Sequence, residues 1–287
     1  MRFEAPETLD AAVTLLRGET GLARPLAGGT DLLVQLRAGF VEPDLVVDLK
    51  RIPEMRHITA ENGGFRIGAA VSGAELGEHP ELKRSWPGVV EATELIGSTQ
   101  IQGRASLGGN LCNASPAADS VPAMMAAEAT VTVAGPDGRR DVPVEEIIAG
   151  PGKTSLARDE IVVAVNLPPR PAHSGDAYLR FIPRTEMDIA VVGVGVSLTL
   201  DDAGLCTHAR VALGAVAATP ILVPDAAAAL IGTAVGEDAL TRMAAAASAA
   251  CRPIDDKRGT KVYRIKVAGV MARRAAELAL DRARSRS

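Results

Sequence analysis

The sequence predicts an α+β fold: a small βαβ unit, a mixed or antiparallel sheet, then a three-stranded antiparallel sheet with a helical bundle. Three observations point there. Strand and helix patterns alternate over residues 1–50, and a Pro136-Asp137-Gly138 turn signal sits between apolar runs. Three long strand patterns near the end are followed by three Ala-rich helical segments.

The βαβ unit begins with a strand over Arg2–Ala5. Pro6 and Glu7 then open a helix whose face is Leu9, Val13 and Leu16 and whose stop is Gly18. A strand over Leu22–Leu26 runs into Gly28-Gly29. Thr30 or Asp31 is expected to cap a helix carrying Leu32, Leu33 and Leu36, closed by Gly39. The apolar run Leu45–Leu49 has the length of a buried strand.

The middle of the chain predicts a strand over Phe65–Ala70 and a helix over Pro87–Ile96, followed by a glycine-rich stretch without period, Gly97–Pro116. Asp119 or Ser120, with Pro122, starts a helix through Ala127. Thr130–Ala134 and Arg139–Val142 flank the hairpin turn, and Ile161–Leu167 is a further strand. Pro168-Pro169-Arg170-Pro171, followed by Ser174-Gly175, marks the expected domain boundary, which divides the chain into 1–172 and 173–287. Beyond it, Ala177–Phe181, Ile189–Leu200 and Cys206–Val216 read as the antiparallel set. Pro224–Ile231, Glu237–Ala250 and Lys261–Leu280 read as helices, the last with Val262, Ile265, Val270 and Leu278 at helical spacing.

Composition excludes several function classes. A net charge of -4 leaves no basic field for nucleic acid or an acidic membrane surface, and 2% aromatics leave no stacking platform. Cys112, Cys206 and Cys251 are far apart, and the four histidines are scattered, so neither a disulfide framework nor a metal site is expected. Met1–Asp10 carries Glu4, Glu7 and Asp10, unlike a signal peptide, and the apolar run Ile189–Leu200 is too short to span a bilayer. A cytoplasmic location is the resulting expectation.

Two glycine pairs are the candidate chemistry. Ala27-Gly28-Gly29-Thr30-Asp31-Leu32 lies between a strand and a helix start, and Ser106-Leu107-Gly108-Gly109-Asn110 lies in the stretch without period. Such pairs let backbone approach a ligand and turn N–H groups toward a phosphate; either pair alone reads more readily as a plain turn. Gly150-Pro151-Gly152-Lys153-Thr154 fails as a P-loop because Ile147 stands where the first glycine belongs. Gly193-x-Gly195 is followed by Leu198 rather than a third glycine, so a dinucleotide fingerprint fails too. No nucleophile elbow or zinc-protease motif is present, and no catalytic residue for substrate oxidation is assigned.

Taken jointly, the motifs resemble the FAD-binding medium subunits of the carbon monoxide dehydrogenase and xanthine dehydrogenase family. The likeness runs through Ala27–Leu32, Gly103–Asn110, Ser115–Asp119, Gly152–Leu156, Asp159–Ile161, Arg184–Ala190 and Tyr263-Arg264, in order along essentially the whole chain. It implies a two-part FAD-binding domain of the PCMH type (subdomains about 1–56 and 57–172), followed by the C-terminal domain. It also implies that Ala27, Gly28, Gly29, Thr30 and Asp31 hold the FAD pyrophosphate from one side, and Ser106, Gly108, Gly109 and Asn110 from the other. By the same resemblance Asn113, Ser115 and Asp119 bond the ribityl or ribose hydroxyls, Asp119 being equally an N-cap. Leu156 packs on the flavin or adenine, or is a plain core leucine. Arg184 and Asp188 lie near the isoalloxazine, or form a surface ion pair.

Thr30 and Asp31 stand where a covalent histidine attachment would be, so non-covalent FAD is implied. The partners implied are an iron–sulfur small subunit with 2Fe–2S clusters and a molybdopterin large subunit that oxidises the substrate. This chain would pass electrons from the clusters to a terminal acceptor. Two alternatives stay open at the sequence level: a stand-alone flavin oxidase or reductase of the same fold, and a scaffold with degenerate loops.

Overall fold

The structure is a computed structural model that describes residues 1–286. The first unit is a three-stranded parallel sheet in which Leu45–Asp48 lies between Arg2–Glu4 and Ala23–Leu26. The helix Leu9–Gly18 covers it, burying Leu9, Ala12, Val13 and Leu16. This helix starts later than Pro6-Glu7 predicts, because the Thr8 side chain accepts from the Ala11 N–H at 3.3 Å and caps it there. The helix Leu32–Arg37 buries no residue, and Asp31 at its N-cap position makes no side-chain cap bond. Six helical residues are too few to be stable alone. The helix is held by the loops around it.

The second unit is a five-stranded antiparallel sheet in the order Ile58–Glu61, Gly64–Gly68, Ile161–Leu167, Thr130–Gly135, Gly138–Pro143. Its central strand is apolar along nearly its whole length because it is covered on both faces. The hairpin forms as the turn signal predicts, with Gly135 paired to Gly138. The stretch without period folds into two short helices, Thr99–Gln102 and Leu107–Cys112, that are too short to show periodicity. The helices Gly73–Gly77 and Pro80–Ser85 and the strand Ile58–Glu61 also lie outside the predicted elements.

The third unit pairs Ser174–Phe181, Val192–Leu200 and Cys206–Gly214 antiparallel, and a two-residue strand, Ile221–Leu222, extends this sheet to four. The predicted strand from Ile189 begins instead at Val192. Residues 182–191 form an irregular loop in which Met187 has φ of +53°. Helices Pro224–Ala228, Glu237–Ala250 and Lys261–Arg284 follow. In the last, the predicted face is corrected: Val262 is 77% exposed, whereas Ala268, Ala272, Ala275, Ala276 and Ala279 are fully buried. Small side chains let this helix lie close against the sheet, which large ones would prevent. Buried residues fall into two apolar clusters, one mostly within residues 9–167 and one within residues 177–283. Among the described residues no helix is long and apolar enough to cross a membrane.

Candidate functional site: a cleft between two glycine loops

The first loop, Ala27–Asp31, leaves the strand Ala23–Leu26 and enters the helix Leu32–Arg37. The second starts the helix Leu107–Cys112, where the Ser106 hydroxyl accepts from the Gly109 N–H at 3.1 Å. Their glycines serve close approach within the protein. A Cβ on Gly28 would lie 1.8 Å from the Arg104 carbonyl oxygen, and one on Gly108 would lie 2.7 Å from the Ala69 carbonyl oxygen. Only glycine lets the two loops abut. The Arg104 Nε also donates to Gly28 O at 3.4 Å, and Lys50 Nζ donates to Ala27 O at 3.0 Å.

Above this junction lies a cleft of about 680 Å³, bounded by Ala27–Asp31, Ser106, Gly108, Gly109, Asn110, Asn113 and Leu156. That is within the range of about 300–1,000 Å³ typical of small-molecule sites. The backbone N–H groups of Gly28, Gly29, Thr30, Asp31 and Leu32, and of Leu107 and Gly108, donate to nothing among the described residues. Two helix starts with unpaired N–H groups, facing one cleft from both sides, suit a diphosphate. The amides behind them are partly committed. Asn113 Oδ1 accepts from Gln35 Nε2 at 3.1 Å, and Asn110 Oδ1 accepts from the Ser120 hydroxyl at 2.7 Å, so each keeps its NH₂ for another partner.

Four sequence candidates lie outside the cleft walls. Ser115 turns its hydroxyl onto the Ala117 N–H at 3.2 Å. Asp119 is buried and makes no N-cap bond, which removes the capping alternative. Its Oδ1 accepts from the Tyr178 hydroxyl at 3.1 Å and its Oδ2 from Arg180 Nη1 at 3.0 Å. Burial pushes the Asp119 carboxyl up to about 6 against the opposing pull of Arg180 and Tyr178, and burial likewise raises the Tyr178 phenol. Arg180 also donates to Leu95 O at 2.6 Å, next to Ile96 in the cleft wall. Arg184 pairs with Asp188 at 3.3 Å, as the surface-pair alternative has it. Asp188 also accepts from Arg258 Nε at 2.8 Å, which holds its carboxyl below the usual range.

Sequence reasoning missed Arg24, Gln35, Cys112 and Arg158 in the cleft walls. Nothing local marks them, since only the packing of segments from different sheets brings residues 21–35 and 154–162 to one cavity.

Residues 1–170 match the family model described as the FAD binding domain in molybdopterin dehydrogenase, and residues 177–279 match the CO dehydrogenase flavoprotein C-terminal domain. The carbon monoxide dehydrogenase medium chain of Hydrogenophaga pseudoflava is 34% identical over 284 residues, covering 98% of each chain. The xanthine dehydrogenase FAD-binding subunit of Escherichia coli O157:H7 is 38% identical over 221 residues, covering 76% of this chain and 75% of that one. Among solved structures, the H. pseudoflava carbon monoxide dehydrogenase superposes with a TM-score of 0.94 at 34% identity, covering 98% of both chains. Quinoline 2-oxidoreductase from Pseudomonas putida follows at 0.91 and 27%, covering 99% and 98%. The resemblance read from the paired glycine loops thus holds over both halves of the molecule, and the chain belongs to the FAD-binding subunits of the molybdenum hydroxylase family.

Proposed function

We infer that this chain is the FAD-binding electron-transfer subunit of a molybdenum hydroxylase complex, an oxidoreductase whose substrate is oxidised in a partner chain. The partners are an iron–sulfur small subunit that delivers electrons and a molybdopterin large subunit, and a terminal acceptor takes the electrons from this chain. The observation that carries the reading is the cleft between two glycine loops with unpaired N–H groups on both walls. Bound there without a covalent link, FAD supplies the electron acceptance and delivery, chemistry that no side chain of the site can perform.

The chain's own groups bind and shield. The free N–H groups of Gly28–Leu32 and of Gly108 hold the diphosphate, and the Asn110 and Asn113 amides bond the polar chain. Leu156 excludes water from a ring. The proposed contact set is therefore narrower than the sequence list, without Ser115, Asp119, Arg184 and Asp188. Two domains, 1–172 and 173–287, form part of the same proposal, and the two separate apolar clusters support it.

Gly28 and Gly108 are poor probes, because any side chain there strikes protein backbone before it meets a ligand. Leu156, half-buried in the cleft wall, is the better one. Titration of the full-length apo-chain with FAD, read by flavin absorbance and fluorescence, is expected to show one FAD per chain. Leu156→Glu should weaken binding on the order of a hundredfold, since it sets a carboxylate against an apolar ring and near a diphosphate. Wild-type protein that takes up no flavin, or a folded Leu156→Glu that binds within about twofold of it, refutes the assignment.

A further inference from the structure

Three backbone or hydrogen-bond contacts tie residues 19–35, on one side of the cleft, to residues 104–158 on the other. Two belong to the glycine loops and the helices they open: the Gly28–Arg104 backbone contact and the Gln35–Asn113 bond. The third belongs to neither. Arg158 reaches from the turn before the strand Ile161–Leu167 and donates through Nη2 to the carbonyls of Glu19 and Gly21, the latter at 3.4 Å. Arg158 and Gly21 both line the cleft, so this bridge crosses its rim.

Both ends of the bridge are fixed to their own lobes. On one side Glu160 accepts from the Ala157 N–H at 2.8 Å, and the Ser155 N–H donates to Ile147 O at 2.9 Å. On the other, the Gly21 N–H donates to Glu19 Oε1 and the Leu22 N–H to Asp44 Oδ2, each at 2.9 Å. The guanidinium itself is lightly held. No carboxylate among the described residues lies within ion-pair distance of it, its Nε and Nη1 make no hydrogen bond, and Glu160 two residues on is committed to Arg140. An exposed arginine bonded only to two carbonyls exchanges those bonds for water at small cost. The floor of the cleft cannot part without breaking a backbone contact, whereas this rim opens by releasing one side chain.

We propose that Arg158 is a strap that closes the cleft over bound FAD and sets how slowly the cofactor leaves. The inference rests on the FAD reading of the cleft. The strap's unused Nε and Nη1 donors are free to bond the enclosed ligand. Arg24 provides the contrast: it lines the same cleft and has no carboxylate partner, but its one bond, at 3.5 Å, goes to Ala23 beside it and bridges nothing.

The test measures FAD release from the full-length chain after dilution, by recovery of flavin fluorescence, and FAD association by stopped flow at low and high salt. Arg158→Ala, and Arg158→Met with the apolar stem retained, should release FAD about fivefold faster than wild type at low and high salt, beside the slower low-salt association that loss of a positive charge brings. Arg24→Ala should slow association at low salt and leave release unchanged, as the loss of a steering charge does. Matching thermal unfolding of the apo-variants and wild type keeps folding out of the comparison. Release from both Arg158 variants within about twofold of wild type overturns the strap, as does an Arg158→Ala profile that copies Arg24→Ala. Wild-type protein that binds no FAD would instead sink the reading of the cleft on which the strap rests.

Discussion

Removal of the Arg180 charge should destabilise the chain by an amount that grows with pH. Arg180 and Asp119 form an ion pair at 3.0 Å with side chains 4% and 11% exposed, and Tyr178 completes the donors to the carboxylate. Burial already raises the Asp119 carboxyl from 3.8 to about 6 with Arg180 in place. A folded-state value above the unfolded one means that this group's stabilising contribution is full below about 3.8 and is lost as pH rises through about 6. In Arg180→Met the opposing charge is gone, so the folded-state value moves higher still and the loss continues to higher pH.

At pH 5, where Asp119 is mostly protonated, the variant loses chiefly the bonds to Leu95 O and Asp119, about 1–2 kcal/mol. Above pH 6 the cost grows by about 1.4 kcal/mol per pH unit, which brings it to about 3–5 kcal/mol at pH 8, the usual cost of breaking a buried pair. Asp119→Asn should flatten the dependence, and the Asp119→Asn/Arg180→Met double variant should be more stable at pH 8 than Arg180→Met alone, because no uncompensated charge remains. Urea unfolding between pH 5 and 8 reads this out through the fluorescence of Trp86, the single tryptophan and a buried one, with circular dichroism as second probe. A penalty for Arg180→Met that stays constant within about 0.5 kcal/mol from pH 6 to 8 refutes the reasoning.

Two further variants test how the units are joined. Gly28→Ala places a methyl where the Arg104 carbonyl already sits, so the loops must separate; urea unfolding should show a loss of at least about 2–3 kcal/mol together with loss of flavin uptake, and a stable variant that binds FAD normally would contradict the abutment. Arg282 ties the last helix to the first apolar unit through Glu91, and to the strand Ser174–Phe181 of its own unit through Asp176 O at 2.7 Å. Arg282→Ala should cost about 1–3 kcal/mol, whereas Arg284→Ala, exposed on the same helix, should change stability by less than about 0.5 kcal/mol in the same assay.

Where side-chain period and backbone conformation are set by near neighbours, the sequence was legible. The βαβ alternation, the Pro136-Asp137-Gly138 hairpin and the strand Ile161–Leu167 all follow from local patterning. The short helices around Gly73, Pro80 and Leu107 did not show, because one or two turns leave no period to read. The buried face of the last helix was misread for a related reason. Its sheet contact needs small side chains, so the alanines are buried and the valines at helical spacing face outward.

The site divides in the same way. That the chain carries two glycine pairs, one of them between a strand and a helix start, with nothing resembling a nucleophile or metal motif elsewhere, is determined by the sequence alone, because motifs of this kind are contiguous; that the second pair also opens a helix, Leu107–Cys112, showed only in the structure. Which other residues share the cleft was decided only by the tertiary structure. Parallel pairing of Ala23–Leu26 with Leu45–Asp48, and the packing of Gly28 on Arg104, bring one lobe against the other and place Arg24, Gln35 and Arg158 at its walls. Tertiary packing also turned Asp119 inward, where Arg180 and Tyr178 offset only part of the cost of burying its carboxylate. Contiguous chain supplied the loops, and contact between segments far apart in sequence made them a site.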